Sequence, residues 1–280
     1  MTNQTAQPLV DAAWLTERLG SPNLVLLDVR TPPAGGFIPG SLHSDYATGG
    51  WRATVGAGPG MLPDTAALER LIGGLGIGNG DHVVLVAAGT VASDMGNATR
   101  VYWTFKMLGH PTVSILDGGF AAWKAAGNPL ADHAAARPPA SFTAAPRSDL
   151  RATLPEVEAA VAAGRTPLHD ARSAEQFAGQ AKSPQARAAG TLPGAVHIDN
   201  NAFYSGGAKR FASADAVRAL ADEAGLALEG QPITFCNTGH LASVSWFALS
   251  EIAGVPGVRL YDGSMSEWSA DPARPLKNAG

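Results

Sequence analysis

The sequence PITFCNTGHLASVSWFAL occupies residues 232–249 and contains Cys236, the only cysteine of the chain. A β-favouring run ends at this cysteine, a short polar loop follows, and apolar residues then recur at helical spacing. This order predicts a strand, a loop and a helix, with the thiol at the carboxyl end of the strand. Backbone N–H groups and the helix dipole favour an anion there, so the reactive thiolate is expected. The alternative is a buried cysteine with a structural role only. The polar residues of the loop that follows make an inert core position less favoured.

The composition limits the other functions of the chain. The length of 280 residues predicts two domains or one large domain, and the net charge of −4 gives no electrostatic case for binding nucleic acid or an anionic membrane. A single cysteine excludes an intramolecular disulfide, and no pairing of cysteines or histidines has the usual spacing of a zinc site. Residues 1–8 lack the pattern of a signal peptide, and no apolar run is long enough to span a bilayer. A soluble cytoplasmic protein without a metal is therefore predicted.

The sequence also repeats itself. Five landmarks of the first half recur in the same order in the second half. The pairs are Asp28-Val29-Arg30 with Asp170-Ala171-Arg172, Pro39-Gly40 with Pro193-Gly194, Val84–Ala87 with Ile233–Cys236, Trp103 with Trp246, and Asp117-Gly118-Gly119 with Asp262-Gly263-Ser264. Such a series indicates a duplicated domain.

Each half alternates short apolar strands with helices, which predicts an α/β fold with a mainly parallel sheet covered by helices on both faces. In the second half, Thr153 and Glu156 have the spacing of a capping box, which predicts a helix start. Residues 131–149 are rich in Ala and Pro without helical periodicity, so they are predicted to be a linker. The expected domains are therefore residues 1–130 and 150–280. Ligands of such sheets bind beyond the carboxyl ends of the strands, where Cys236 is predicted.

These residues resemble the two-domain rhodaneses, the thiosulfate and 3-mercaptopyruvate sulfurtransferases. The resemblance rests on the tandem copies, the Asp-x-Arg, Pro-Gly and Asp-Gly-(Gly/Ser)…Trp motifs, and a cysteine that opens a short loop in the second copy alone. It covers about residues 8–275 and implies two tandem rhodanese-like domains. The first copy has Ala87 where the second has Cys236, so it is expected to be catalytically inactive.

The resemblance implies a covalent reaction and no separate cofactor. Cys236 is expected to take a sulfur atom from a small anionic donor such as thiosulfate and to hold it as a persulfide. Cyanide, a small thiol or a protein thiol then accepts the sulfur. The N–H groups of the loop after the cysteine, together with the helix dipole, are expected to cradle the persulfide anion; the loop residues are Asn237, Thr238, Gly239, His240 and Leu241.

The choice between thiosulfate and 3-mercaptopyruvate as the donor is predicted from the loop after the cysteine and from one residue of the first half. The loop has neither the basic residues of many thiosulfate enzymes nor the serine of mercaptopyruvate enzymes, and Gly60 stands where the latter usually have histidine. Thiosulfate is therefore the favoured donor and 3-mercaptopyruvate the alternative. Two interpretations of His240 are equally favoured: it supplies a positive charge or a proton near the anionic donor, or it points into solvent at the start of the helix. The resemblance implies that Arg187, with Lys182 as a fallback, binds the anionic donor. Trp51 and Arg52 are further candidates from the first half, although ordinary loop contacts explain them as well.

Other functions fit less well. A Cys-loop phosphatase requires an arginine at the seventh loop position, where this chain has Ala242. The glycines of residues 76–80 follow a predicted helix and precede a strand, the reverse of a dinucleotide-binding turn. A persulfide carrier that delivers sulfur without turnover remains open. The Asp-Arg motifs occur in both halves, including the one without a cysteine, and are interpreted as structural ion pairs.

Overall fold

A computed structural model describes residues 6–205 and 209–277. The strands are β1 (Leu9–Val10), β2 (Leu24–Asp28), β3 (Leu42–His43), β4 (Ala53–Val55), β5 (Gly58–Met61), β6 (His82–Val86), β7 (Val113–Leu116), β8 (Leu168–Asp170), β9 (Ala195–His197), β10 (Tyr204–Ser205), β11 (Arg210–Phe211), β12 (Ile233–Phe235) and β13 (Arg259–Leu260). The helices are α1 (Ala12–Arg18), α2 (Thr65–Gly74), α3 (Ala92–Met107), α4 (Gly119–Ala125), α5 (Leu154–Ala163), α6 (Ala174–Phe177), α7 (Ala214–Glu223), α8 (Leu241–Phe247) and α9 (Ser264–Trp268). A π-helical segment, Ala248–Ile252, continues α8.

The first compact unit contains a five-stranded sheet in the order β1-β7-β6-β2-β3, with every pairing parallel. Residues 83–86 of β6 are fully buried. Because successive side chains of a strand point to opposite faces, burial of the whole run shows that both faces of the sheet are covered. Helices α1 and α4 cover one face through Leu15, Phe120 and Trp123.

The second unit contains a four-stranded parallel sheet in the order β13-β12-β8-β9. All three residues of β12 are fully buried, so this central strand is again covered on both faces. The core around it includes Phe235, Tyr261, Met265 and Trp268. The predicted fold class, two related α/β units with parallel sheets, is confirmed.

Most predicted elements appear where the sequence indicated them. The apolar runs of residues 24–28, 82–86, 113–116 and 168–170 predict strands and form β2, β6, β7 and β8, and helix α5 begins with the predicted capping box of Thr153 and Glu156. The sequence also predicts a helix over residues 100–108, but the corresponding helix α3 is longer and begins at Ala92. Its first turns have weak helix formers, but Met95, Ala98 and Thr99 are fully buried there. Tertiary packing therefore outweighs the low intrinsic propensity of this segment.

The predicted linker does not stand apart from the units. The first unit extends to Arg147, and Phe142 of the presumed linker is buried. This extended chain attaches through backbone hydrogen bonds, for example from Ala140 N to Gly73 O at 2.9 Å and from Ala145 N to Leu108 O at 2.8 Å. This Ala- and Pro-rich segment, residues 131–147, is therefore a strap on the first unit, because its backbone N–H groups donate to carbonyls there, including those at the carboxyl ends of α2 and α3.

The units also do not follow the chain strictly. Residues 53–62, which include the hairpin of β4 and β5, belong to the second unit, whereas Lys209 and Arg210 belong to the first. The compact units therefore differ from the predicted ranges 1–130 and 150–280 at these two segments, as well as in the assignment of residues 131–147 to the first unit. Across the described ranges, no helix has the length and apolarity that a bilayer crossing requires.

Candidate active site

Cys236 lies directly after β12, a central strand of the second sheet. The residue is buried, with 1% of its surface exposed. Helix α8 begins at Leu241, so residues 236–240 form the loop between strand and helix. Thr234 Oγ1 donates to Ala242 O at 3.2 Å and ties the first turn of α8 back to the strand. The predicted strand-loop-helix arrangement around the thiol is therefore present.

Ser264, the first residue of α9, holds the loop from one side. Its Oγ accepts hydrogen bonds from Cys236 N at 3.1 Å and from Gly239 N at 3.0 Å, and donates to Tyr261 O at 2.8 Å. The backbone of α9 adds bonds from Met265 N to Cys236 O at 3.1 Å and from residue 266 N to residue 237 O at 3.0 Å. One loop N–H that was expected to face the persulfide, that of Gly239, is therefore engaged by a serine.

Gly239 has a φ of +74°, in the left-handed region that favours glycine. The loop backbone can therefore turn at this residue without the strain that a Cβ atom would add.

Asn237 faces α6. Its Nδ2 donates to Gln176 Oε1 at 3.1 Å, while its Oδ1 is buried without a hydrogen-bond partner. A buried carbonyl oxygen without a donor is costly, so the position beside the cysteine suits a ligand or water that donates a hydrogen bond. His240 is half-buried at the start of α8 and makes no side-chain capping bond there. Its predicted role near the donor stays a prediction, as does that of Thr238, which is half-buried in the same loop.

The Asp-x-Arg motif forms a buried ion pair at the end of β8. Arg172 Nη2 lies 2.6 Å from Asp170 Oδ2, and both side chains are fully buried. The equivalent pair of the first unit, Arg30 and Asp28, has the same 2.6 Å separation. The pair therefore belongs to the duplicated framework, as predicted.

Asp262 lies between β13 and α9 and is also buried. It accepts hydrogen bonds from Arg151 Nε and from Leu62 N, both at 2.8 Å. Leu62 closes the hairpin of β4 and β5 that joins the second unit. The carboxylate thus fixes this hairpin to the segment that carries Ser264, two residues further along the chain.

The two predicted anion-binding residues lie in the irregular segment between α6 and β9. Arg187 N donates to Ser269 Oγ at 2.8 Å, and the Arg187 residue is exposed. Lys182 is also exposed, but its Nζ donates to Ala186 O at 3.2 Å. Through Ser264 and Ser269, α9 therefore contacts both the cysteine loop and the backbone of Arg187.

Trp51 and Arg52 lie in the first unit. The indole of Trp51 is fully buried, donates from Nε1 to Ser44 Oγ at 2.9 Å and packs against Phe105. The Arg52 guanidinium lies 5.7 Å from the centre of the Tyr46 ring. These contacts account for both side chains within that unit, and a role in donor binding stays a prediction.

Two buried titratable groups lie close to the loop framework. Burial lowers the pKa of His169 from 6.5 to about 4, so the imidazole on β8 is neutral. Burial and the neighbouring Glu267 carboxylate raise the pKa of the Tyr261 phenol, which is therefore neutral as well. Neither group is suited to accept a proton from the thiol at neutral pH.

Sequence reasoning missed Ser264 and Gln176. The signal for Ser264 was the difference between Asp-Gly-Gly in the first copy and Asp-Gly-Ser in the second, at a position where only the second copy has a thiol to serve. No local signal indicated Gln176, because its contact with Asn237 joins residues that are far apart in the chain. No group of three or more metal-ligating side chains occurs within residues 6–205 and 209–277.

The fold and the site together define a class: a duplicated α/β protein in which only the second unit carries a cysteine, on a loop between a central strand and a helix. The rhodanese-like domain family matches residues 11–126 and 153–271. The chain therefore belongs to the rhodanese family, as its motifs indicated.

Named relatives agree with this membership. A protein of Mycolicibacterium smegmatis named "Putative thiosulfate sulfurtransferase" is 31% identical over 280 residues, which cover 96% of this chain and 97% of the relative. A protein of Haloferax volcanii with the same name is 36% identical over 208 residues, covering 71% of this chain and 70% of its own.

Solved structures share the fold. SseA from Escherichia coli, described as a 3-mercaptopyruvate sulfotransferase, is 25% identical with a TM-score of 0.78, covering 92% of this chain and 99% of its own. An anaerobic ergothioneine biosynthesis enzyme from Chlorobium limicola has a TM-score of 0.85 at 19% identity, covering 98% of this chain and 70% of its own. The second likeness concerns the fold alone. Sulfurtransferases are thus the class of enzyme to which this chain is similar.

Proposed function

We propose that the protein is a thiosulfate sulfurtransferase that carries the transferred sulfur on Cys236. The observation that carries the proposal is the placement of the only cysteine at the carboxyl end of the central strand β12, in the unit whose counterpart has Ala87. The names of the relatives support thiosulfate as the donor.

In the first step, the Cys236 thiolate attacks the outer sulfur of thiosulfate. A new S–S bond forms to Sγ, the S–S bond within thiosulfate breaks, and its electron pair leaves with sulfite. The product is the Cys236 persulfide anion, and no external oxidant or reductant is required. The dipole of α8 and the loop N–H groups that Ser264 does not occupy stabilise this anion.

In the second step, a nucleophile such as cyanide attacks the terminal sulfur. The carbon–sulfur bond of thiocyanate forms, the persulfide S–S bond breaks, and its electron pair returns to the Cys236 thiolate. Arg187 and Lys182 are the proposed contacts for the sulfonate of the donor, because a guanidinium fork matches its oxygens and an ammonium supplies charge. The acceptor in the cell is proposed to be a small or protein-bound thiol, and the protein to act in the cytoplasm.

A second candidate donor is 3-mercaptopyruvate. The loop beside the cysteine is uncharged at Asn237 and Thr238, and SseA is similar over nearly its whole length. Here the same thiolate attacks the substrate sulfur and forms an S–S bond. The carbon–sulfur bond of the substrate breaks, its electron pair leaves with the pyruvate enolate, and protonation of that carbon gives pyruvate, so this donor requires a proton source in addition.

The test compares the wild-type protein with Cys236→Ala. Thiocyanate release from thiosulfate and cyanide, and pyruvate release from 3-mercaptopyruvate and a thiol, are measured in parallel with intact-protein mass. We expect thiocyanate release and a mass gain of about 32 Da, one sulfur atom, in the wild type only. Faster pyruvate release would favour the second donor. A stable persulfide without multiple turnover would favour the carrier, and activity that survives in Cys236→Ala would exclude the mechanism.

A further inference from the structure

Ser264 has an unusual backbone conformation. Among the described residues, three that are not glycine have a positive φ: Lys209, Gln231 and Ser264. The first two are exposed, whereas Ser264 is fully buried with a φ of +50°. A side chain in the left-handed region is unfavourable, and such strain persists where the surroundings over-determine it, often at functional sites.

The first unit, which has no cysteine, has a glycine at the position equivalent to Ser264. Its counterpart is Gly119, with a φ of +56°. The same backbone bond is present in both units: Phe120 N donates to Ala87 O at 2.8 Å, and Met265 N donates to Cys236 O at 3.1 Å. The backbone therefore has a positive φ at this position in both units, with glycine in the first and serine in the second. The serine side chain is a feature of the cysteine-containing copy.

The two sites differ in the space that they leave for a side chain. A Cβ atom added at Gly119 would lie 2.4 Å from Ala87 O and 2.9 Å from Gly89 N, so a side chain cannot enter without a shift. In the second unit, the loop after Cys236 accommodates the Ser264 side chain. Both the loop after Cys236 and residue 264 therefore differ from their counterparts in the first unit. Such a paired difference is expected if the serine holds the loop.

The Ser264 hydroxyl uses its full hydrogen-bonding capacity. A serine hydroxyl has one donor and two acceptor sites. Here the donor is directed to Tyr261 O, and the acceptor sites take the N–H groups of Cys236 and Gly239. One buried side chain thereby joins the segment after β13 to both ends of the turn that bears the thiol.

We propose that Ser264 is a positioning residue for sulfur transfer: its hydroxyl holds the loop of residues 236–239 in the conformation in which Sγ reacts. This inference rests on the proposed function for its catalytic consequence, although the tether can be measured without it. The thiolate gains and loses a sulfur atom in each cycle, and the remaining loop N–H groups must stay in place in both states. A tether on the backbone of Cys236 and Gly239 meets this requirement without touching the donor.

The test uses two variants of Ser264 that both lack the hydroxyl but differ in the strain of a left-handed backbone. Ser264→Gly removes the hydroxyl and also relieves the left-handed strain, reproducing Gly119 of the first unit. Ser264→Ala removes the hydroxyl and keeps a Cβ atom. The matched control is Ser114→Ala in the first unit, which removes a fully buried hydroxyl that donates to Gln7 O at 2.5 Å.

The first readout is independent of any substrate. In both Ser264 variants we expect the amides of Cys236 and Gly239 to exchange hydrogen about tenfold faster by NMR, the size expected for one lost hydrogen bond. Iodoacetamide should also alkylate Cys236 faster; because it is the only cysteine, whole-protein mass reports this site alone. Wild-type exchange and alkylation rates in both variants would overturn the tether.

The second readout is catalytic. With thiosulfate and cyanide, we expect kcat to fall about tenfold or more in Ser264→Gly and KM for thiosulfate to stay within about twofold, because a misplaced reactive group slows the chemical step rather than binding. Ser114→Ala should keep both constants. Unchanged kcat in Ser264→Gly despite fast amide exchange would overturn the positioning role. Absence of turnover in the wild type would instead refute the proposed function, while the amide and alkylation data still decide the tether.

Discussion

Replacement of His169 by glutamine should remove a measurable part of the pH dependence of folding. His169 lies on β8, is fully buried, and its Nε2 lies 2.9 Å from Ile198 O. A carbonyl only accepts, so Nε2 carries the proton, whereas the buried Nδ1 has no partner. Burial accordingly lowers the pKa from 6.5 to about 4. Glutamine can still donate to Ile198 O but does not titrate.

The sign follows from which state binds the proton first. As the pH falls below 6.5, the unfolded chain protonates His169 while the folded chain does not, so the free energy of unfolding decreases until the folded pKa near 4 is reached. At about 1.4 kcal/mol per pH unit, this contribution is about 2 kcal/mol at pH 5 and about 3 kcal/mol in full. The stabilisation is present above pH 6.5 and is lost on acidification.

Urea unfolding of the wild type and His169→Gln at pH 7.5, 6 and 5, followed by tryptophan fluorescence, measures the effect. The difference between the two proteins cancels the other titrating groups, and it should change by about 2 kcal/mol in favour of the variant between pH 7.5 and 5. His133→Gln, which replaces an exposed histidine, controls for the loss of a histidine as such. A difference that is constant with pH would refute the reasoning.

Two further predictions concern the donor site and the framework. Arg187→Ala should raise KM for thiosulfate about tenfold with little change in kcat, as expected for one lost charge-assisted hydrogen bond, whereas Lys182→Ala should have a smaller effect; the reverse order in steady-state assays would assign the anion contact to Lys182. Asp170→Asn should destabilise the second unit by about 3–5 kcal/mol in urea unfolding, because it leaves the buried Arg172 without its counter-charge. The double variant with Arg172→Met should recover part of this loss, and no recovery would contradict the explanation.

Much of the architecture could be predicted because it depends on local patterns. The apolar strands β2, β6 and β7 have their predicted bounds, since a buried parallel strand requires a continuous apolar run. Comparison of the two copies also singled out Cys236, because it stands where the first copy has Ala87.

Contacts between distant segments could not be predicted from local patterns. The strap of residues 131–147 has no period of its own, and its course depends on backbone carbonyls of the first unit, including those at the carboxyl ends of α2 and α3. The hairpin of residues 53–62 joins the second unit through the bond from Leu62 N to Asp262, which no spacing in the sequence indicates.

The sequence by itself determined the fold class, the duplication and the position of the only cysteine, because periodicity and residue identity are properties of the chain alone. Tertiary structure decided how that thiol is held. The sequence contained the change from Gly119 to Ser264, but its meaning depends on a left-handed backbone and on two amides that lie more than twenty residues before the serine. Hydrogen bonds of this kind are set by distance in space, and folding alone brings their partners together.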